Sequence, residues 1–192
     1  MPETELDAEP AELDGRRRRG SRRRRALLDA ALRVIGRDGL AAVSQRAVAV
    51  AAGLPASAVY YYFATIDELV VAVLVDTNDR LLAELAALPA GPAALATWTV
   101  DYTRRHPEEV RAELELWVLG TRRPDLRGEL DRWDAGLRAA AARLTADPVA
   151  VDAVVAAVNG YCWQAVGDDR YTADRLAVIL RHIIRAAPVA PD

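Results

Sequence analysis

The sequence predicts an all-α protein of about nine helices, and three observations carry that reading. Alanine and leucine dominate a chain that is 52% hydrophobic, and both residues favour helix. Apolar residues recur three and four positions apart along most of the chain. Runs of Val, Ile, Tyr and Thr in strict alternation, which a half-buried strand requires, are scarce. At 192 residues and 20.9 kDa the chain can bury a real core in one or two small domains.

Composition narrows the function classes. The single cysteine, Cys162, rules out an internal disulfide and a thiol-rich metal site, and inside an apolar run it reads as a small core residue. His106 and His182 have no metal-ligating partners at usable spacing and are expected to be solvated; no metal and no cofactor are expected. No apolar run approaches the roughly 18 residues of a membrane span, and the acidic amino terminus argues against a secretory signal, so no membrane partner and a cytoplasmic location are expected. The net charge of −3 conceals a segregation. Residues 1–14 hold six acids and no base. Residues 15–66 hold Arg16 to Arg19, Arg22 to Arg25, Arg33, Arg37 and Arg46 against only Asp29 and Asp38. The remainder is acidic. A basic segment on an acidic body is the footprint of polyanion binding. All 25 basic residues are arginine, which with the alanine excess reads as a compositional bias.

In chain order, residues 1–21 read as a disordered arm, acidic and then arginine-rich, interrupted by Pro2, Pro10, Gly15 and Gly20. The first helix is expected over 23–37, with Leu27, Ala30, Ala31, Val34 and Ile35 on one stripe and Gly39 stopping it. Ser44 caps a second helix over 45–52, Gly53 makes the turn, and Pro55 opens a third helix on which Val59 and Phe63 face inward. Thr65 and Glu68 form a capping box for a long fourth helix with Leu69, Val73, Leu74, Leu81, Leu85 and Leu88 on its stripe. Pro92, Pro107 and Pro124 open the fifth, sixth and seventh helices. Their stripes are Leu95, Trp98 and Tyr102; Val110, Leu114, Trp117 and Val118; and Leu126, Leu130, Trp133, Leu137, Ala141 and Leu144. Asp147 and Pro148 start the eighth helix, and Thr172 caps the ninth. The domains expected are an arm at 1–21, a head at 22–66, a body at 67–186 and a flexible tail at 187–192. No internal repeat is present.

Ser44 to Phe63 is the stretch the chain is organised around. Ala49 lets two helices cross closely, Gly53 permits the sharp turn, and Val59 packs the second helix back on the first: the spacing of a helix-turn-helix. Ser57, Ala58 and Tyr61 then face outward, a surface better suited to a DNA groove than to water. Residues 28–69 resemble the DNA-binding head of the tetracycline-repressor-like (TetR) transcriptional regulators. The matching pattern is Ala30-Ala31, Gly39, Ser44-x-Arg46, Val48-Ala49, Ala52-Gly53-Leu54, Val59-Tyr60-x-Tyr62-Phe63 and Asp67-Glu68-Leu69. The resemblance implies a homodimer that binds a pseudo-palindromic double-stranded DNA operator, with half-sites about 34–36 Å apart. It places Gln45 and Arg46 near phosphates or base edges, Ser57, Ala58 and Tyr61 at bases, and Tyr60 and Tyr62 on phosphates. Ile66 stands where the family usually has a phosphate-contacting lysine. Arg22, Arg23 and Arg24, with the rest of the arginine arm, are expected to compensate.

The eighth helix is apolar on nearly every side and must be covered all round. A second copy of the chain is therefore expected against Val154, Val158, Gly160 and Tyr161, together with Leu176, Ile179 and Ile183 of the ninth helix. The resemblance further implies a small-molecule effector in the body. Trp98, Tyr102 and Trp117 are the expected pocket wall, and no buried charge names a ligand class, so an apolar or aromatic effector is the default. Repression released by the effector is the usual mode in that family. Other readings are an RNA or non-specific nucleic-acid binder using the arginine arm, and a helical-bundle enzyme. The chain has no nucleophile elbow, no glycine-rich phosphate loop and no HExxH, and no enzyme is expected.

Overall fold

The computed structural model describes residues 10–186, with 10–17 as backbone only. The first part of the expected arm, residues 1–9, and the expected tail at 187–192 lie outside the described residues. Nine α-helices and no strand occur among the described residues: α1 (Pro10–Asp38), α2 (Gln45–Ala52), α3 (Ala56–Tyr62), α4 (Ile66–Ala87), α5 (Pro92–Arg105), α6 (Pro107–Arg122), α7 (Arg127–Ala142), α8 (Pro148–Gln164) and α9 (Ala173–Arg185). Short 3₁₀ turns at Leu40–Ala42 and Pro124–Leu126 complete the path. No single helix among the described residues is long and apolar enough to cross a membrane.

The local signals behave as their chemistry requires. Ser44 accepts from the Ala47 N–H at 3.1 Å and Thr65 from the Glu68 N–H at 3.0 Å. The Glu68 carboxylate reaches back to the Ala64 N–H at 2.9 Å, which completes the capping box one residue earlier than expected. Asp147 and Thr172 cap α8 and α9. Gly53 sits at φ +64°, a left-handed conformation that side chains resist, and ends α2. Pro55 is the residue before α3 rather than its first residue.

The first helix differs from expectation. It begins at Pro10, not near Arg23, so residues 10–21 are helical where disorder was expected. Arginine is a good helix former, and an arginine-rich run can extend a helix whose core-facing half starts at Leu27. Gly20 does not break it; the helix there passes the Tyr62 hydroxyl, which a Cβ on Gly20 would meet at 3.6 Å.

Two cores follow from this layout. The head core joins Leu27, Ala31 and Ile35 of α1, Val48 of α2, Val59 of α3 and Leu69 of α4 with Ala112 and Leu116 of α6. The body core joins Leu85, Leu95, Val100, Leu137, Val154, Val158, Leu176 and Leu180. The head is thus packed on α6 as well as on α4. The closest approach is at Gly36 of α1, where an added Cβ would lie 1.9 Å from the Glu108 carbonyl oxygen. Beside it, the Leu40 N–H donates to the Glu115 carboxylate at 2.5 Å. Arg123 pairs with Asp67, and Arg25 pairs with Asp76 at 2.8 Å.

Gly36→Ala should therefore force the two helices apart, at about 1–3 kcal/mol for overpacking. The expected outcome is a fall of roughly 2–10 °C in the thermal midpoint. Gly128→Ala is the control, since nothing lies within 4 Å of a Cβ there, and it should not lower the midpoint.

Candidate functional site

The head presents one outward face. Tyr61 is 82% exposed and Tyr60 60% exposed on α3, and Ser57 is exposed with Ala58 half-exposed beside them. Arg46 is exposed and Gln45 half-exposed at the start of α2. Val50, one turn beyond Arg46, is 75% exposed; sequence reasoning did not name it, and its only signal is the four-residue spacing from Arg46. Arg46, Val50 and Arg37 border a shallow groove of about 400 Å³. Tyr62 is half-buried, its ring edge-on to Tyr61 at 4.9 Å and its hydroxyl close to α1. The arginines of α1 divide by role. Arg24 lies over the Phe63 ring at 5.4 Å and Arg25 is tied to Asp29 and Asp76. Arg19, Arg22 and Arg23 are exposed and have no ion pair among the described residues.

The body encloses a cavity of about 60 Å³ between α4, α5, α6, α7 and α8. Trp98, Tyr102 and Trp117 all border it. Trp133 and Trp163, aromatics of the body that sequence reasoning ranked below these three, border it too, and sequence reasoning missed Asn159 and, above all, Glu113. All four tryptophans of the chain therefore meet at one cavity. Trp98 and Tyr102 stack at 5.9 Å, and Trp117 and Trp163 lie 5.7 Å apart. Glu113 is the only charged side chain on the wall. It accepts a hydrogen bond from the Tyr102 hydroxyl, which also lies 3.3 Å from Glu109. Glu109 is in turn paired with Arg80 of α4 at 2.7 Å. Burial raises the Glu113 pKa to about 7, against the pull of the tyrosine hydrogen bond, and pushes the Tyr102 hydroxyl further up. Burial also raises the Cys162 thiol to about 12, so it is no reactive thiolate. His106 is not simply solvated: it stacks obliquely on Tyr102 at 5.2 Å and faces Glu109 at 3.2 Å. His182 is exposed, and no cluster of metal-ligating side chains occurs among the described residues.

The expected interface residues need correction. Val154, Val158, Tyr161 and Leu176 are buried inside the protomer, so they have no surface to offer a second copy. An all-round apolar helix gives no sign of which face its own protomer takes, and here the body core takes that one. Gly160 faces open space, and Ile179 and Ile183 remain half-exposed. The outward faces of α8 and α9 show Val149, Trp163 and Val178 instead.

A helix-turn-helix head carried on a helical body also has counterparts among known proteins. Residues 27–73 match the model of the bacterial regulatory proteins of the tetR family, and residues 89–187 match the tetracyclin repressor-like C-terminal domain. The chain belongs to the TetR family. This TetR-family chain is 27% identical to the HTH-type transcriptional regulator BetI of Rhizobium meliloti, over 80% of its own length and 96% of BetI. Its fold matches a TetR-family member from Streptomyces coelicolor with a TM-score of 0.73 at 35% identity, covering 85% of this chain and 99% of the other. It also matches the multidrug binding protein EbrR complexed with ethidium, with a TM-score of 0.66 at 34% identity over 85% and 99% of the two chains. EbrR complexes with malachite green and proflavin match at 33% and 35% identity, with TM-scores of 0.64 and 0.60. The family is one of DNA-binding transcriptional regulators, not of enzymes.

The TetR-family regulator should carry the cost of its partly buried acid as a pH dependence. The native state raises Glu113 from its ordinary 4.5 to about 7, so the folded form holds a proton that the unfolded form has lost. Stability from this group is therefore lost as pH rises from about 4.5 to about 7. Glu113→Gln should melt higher than wild type at pH 8, with the gap closing by about pH 4, in thermal melts across that range.

Proposed function

We propose that this regulator is a homodimeric repressor in the cytoplasm, bound to a pseudo-palindromic operator and released when an aromatic small molecule enters the body cavity. The observation that carries the reading is the double duty of α6. One face of that helix brings Glu113, Leu116 and Trp117 to the cavity. The same helix meets the head through Glu108 at Gly36 and Glu115 at the Leu40 N–H. A ligand changes DNA affinity only by binding one arrangement of heads better than the other. The cavity of about 60 Å³ is far smaller than the roughly 300 Å³ or more that such ligands occupy, so entry has to move side chains or helices. Displacing α6 would displace the head packed against it. The EbrR complexes with aromatic dyes favour an aromatic effector.

On the DNA side, Arg46, Val50, Ser57, Ala58 and Tyr61 form the reading face in this proposal. Val50 and Tyr61 supply apolar contact, of the kind that meets a thymine methyl, and Arg46 is the residue able to grip guanine in two places. Tyr60, and Tyr62 at its margin, take phosphates. The arginines of α1 stand on a helix rather than a loose arm. That helix runs past the end of α3 at Tyr62, which suits Arg19, Arg22 and Arg23 to the phosphates beside the half-site. The second copy takes the outward faces of α8 and α9, where Gly160 leaves room for close approach.

Fluorescence anisotropy with the duplex upstream of the gene tests the reading. Wild type should prefer that duplex over random DNA and RNA, and saturating proflavin should release it. Equal binding to all three nucleic acids, or no release by a dye that demonstrably binds, would overturn the proposal. Replacing Arg19, Arg22 and Arg23 by alanine should flatten the salt slope by about 0.9 for each phosphate that is no longer neutralised.

A further inference from the structure

An aromatic effector of unspecified charge leaves the acid on the cavity wall without a use. Glu113 stands among four tryptophans and Tyr102 with no cation of its own, because Arg80, the one positive group nearby, is engaged by Glu109. The charged and titratable groups that act on it are Arg80 and Glu84 on α4, Tyr102 on α5, Glu109 on α6 and Cys162 on α8. His106, between α5 and α6, faces Glu109 instead. α7 contributes Leu130 and Trp133, which carry no charge. Two carboxylates, Glu109 and Glu113, thus stand beside one guanidinium, while Glu84 is exposed and accepts from the Trp98 indole N–H at 2.9 Å. A neutral effector would leave that imbalance untouched and would bury an acid against apolar surface.

We propose that the cavity selects an organic cation, with Glu113 as its counter-charge, and that the cation enters in exchange for the carboxyl proton. This deepens the proposed effector site and rests on it. Aromatic faces attract cations through the ring quadrupole, and the pull is strongest at tryptophan and where water is excluded. A carboxylate behind those faces adds a full opposite charge at low dielectric. In the empty cavity the same surroundings leave the acid about half protonated at neutral pH and protonated below it, since burial raises its pKa to about 7. The exchange balances: one proton leaves Glu113 for solvent, one monovalent cation takes its place, and the cavity's charge is unchanged. Trp117 of α6, 41% exposed, forms the outer part of the wall away from the proposed dimer faces and is the side chain that must move to admit it.

Calorimetric titration of the full chain with tetraphenylphosphonium, a permanent cation, and with neutral triphenylphosphine oxide tests the proposal. The cation should bind at least tenfold more tightly than the neutral probe at pH 8. Its affinity should weaken by about tenfold per pH unit below about pH 6.5, with close to one proton released per cation there. Glu113→Gln should remove both the pH dependence and the preference for the cation, and Glu113→Asp should retain them. Equal affinity for the two probes, a pH-independent cation affinity, no binding of either probe, or an unchanged preference in Glu113→Gln would overturn it. The two proposals fail separately. Proton-linked cation binding that leaves DNA affinity untouched sinks the effector reading and keeps the cation site. DNA release by the neutral probe alone does the reverse.

Discussion

Everything this regulator can do depends on the close contact between α1 and α6. At Gly36 the two backbones approach so nearly that no side chain fits between them. A contact that tight is stiff, because protein interiors are packed like crystals and transmit displacement. It fixes the head to the helix that also walls the cavity. Around it, polar ties set the orientation: Leu40 to Glu115, Arg123 to Asp67 and Arg25 to Asp76. The surface ion pairs among these contribute little stability alone. Their use is geometric: Leu40 and Arg25 tie the head to α6 and α4, and Arg123 ties the end of α6 to the start of α4.

The cavity is built on the opposite principle. Its walls are large, polarisable and only partly buried at the outer edge, and its interior holds an acid that burial makes costly to ionise. A well-filled leucine core would be more stable. Polar strain of this sort is common where a protein trades stability for binding, and the buried acid is the part of this body that packing alone does not explain.

Much of the fold was legible in the sequence because its signals are local. Ser44, Thr65, Asp147 and Thr172 cap helices through atoms two or three residues away, and Gly53 turns because of its own backbone freedom. Tertiary choices were less legible. On α6 the expected stripe was Val110, Leu114, Trp117 and Val118; Val110 is buried and Trp117 borders the cavity, but Leu114 is only half-buried and Val118 is exposed. The buried face adds Ala112, Leu116 and Gly120 to Val110, and the small residues among them allow close approach. That misreading hid Glu113, which shares a face with Leu116 and Gly120 and so points inward. On α8, apolar residues on every side gave no preferred face, and Val154, Val158 and Tyr161, expected at a dimer surface, are core, while Gly160 is not. On α1, glycine and a charge run suggested disorder, but helix propensity carried the segment.

The central claim is that cavity and head move as one. Pulsed dipolar spectroscopy between spin labels on the two heads of the proposed dimer, attached through Ser57→Cys in a Cys162→Ser background, measures this directly. Saturation with proflavin, followed independently by tryptophan quenching, should shift the interhead distance from one narrow distribution to another. An unchanged distribution at full quenching would contradict the account.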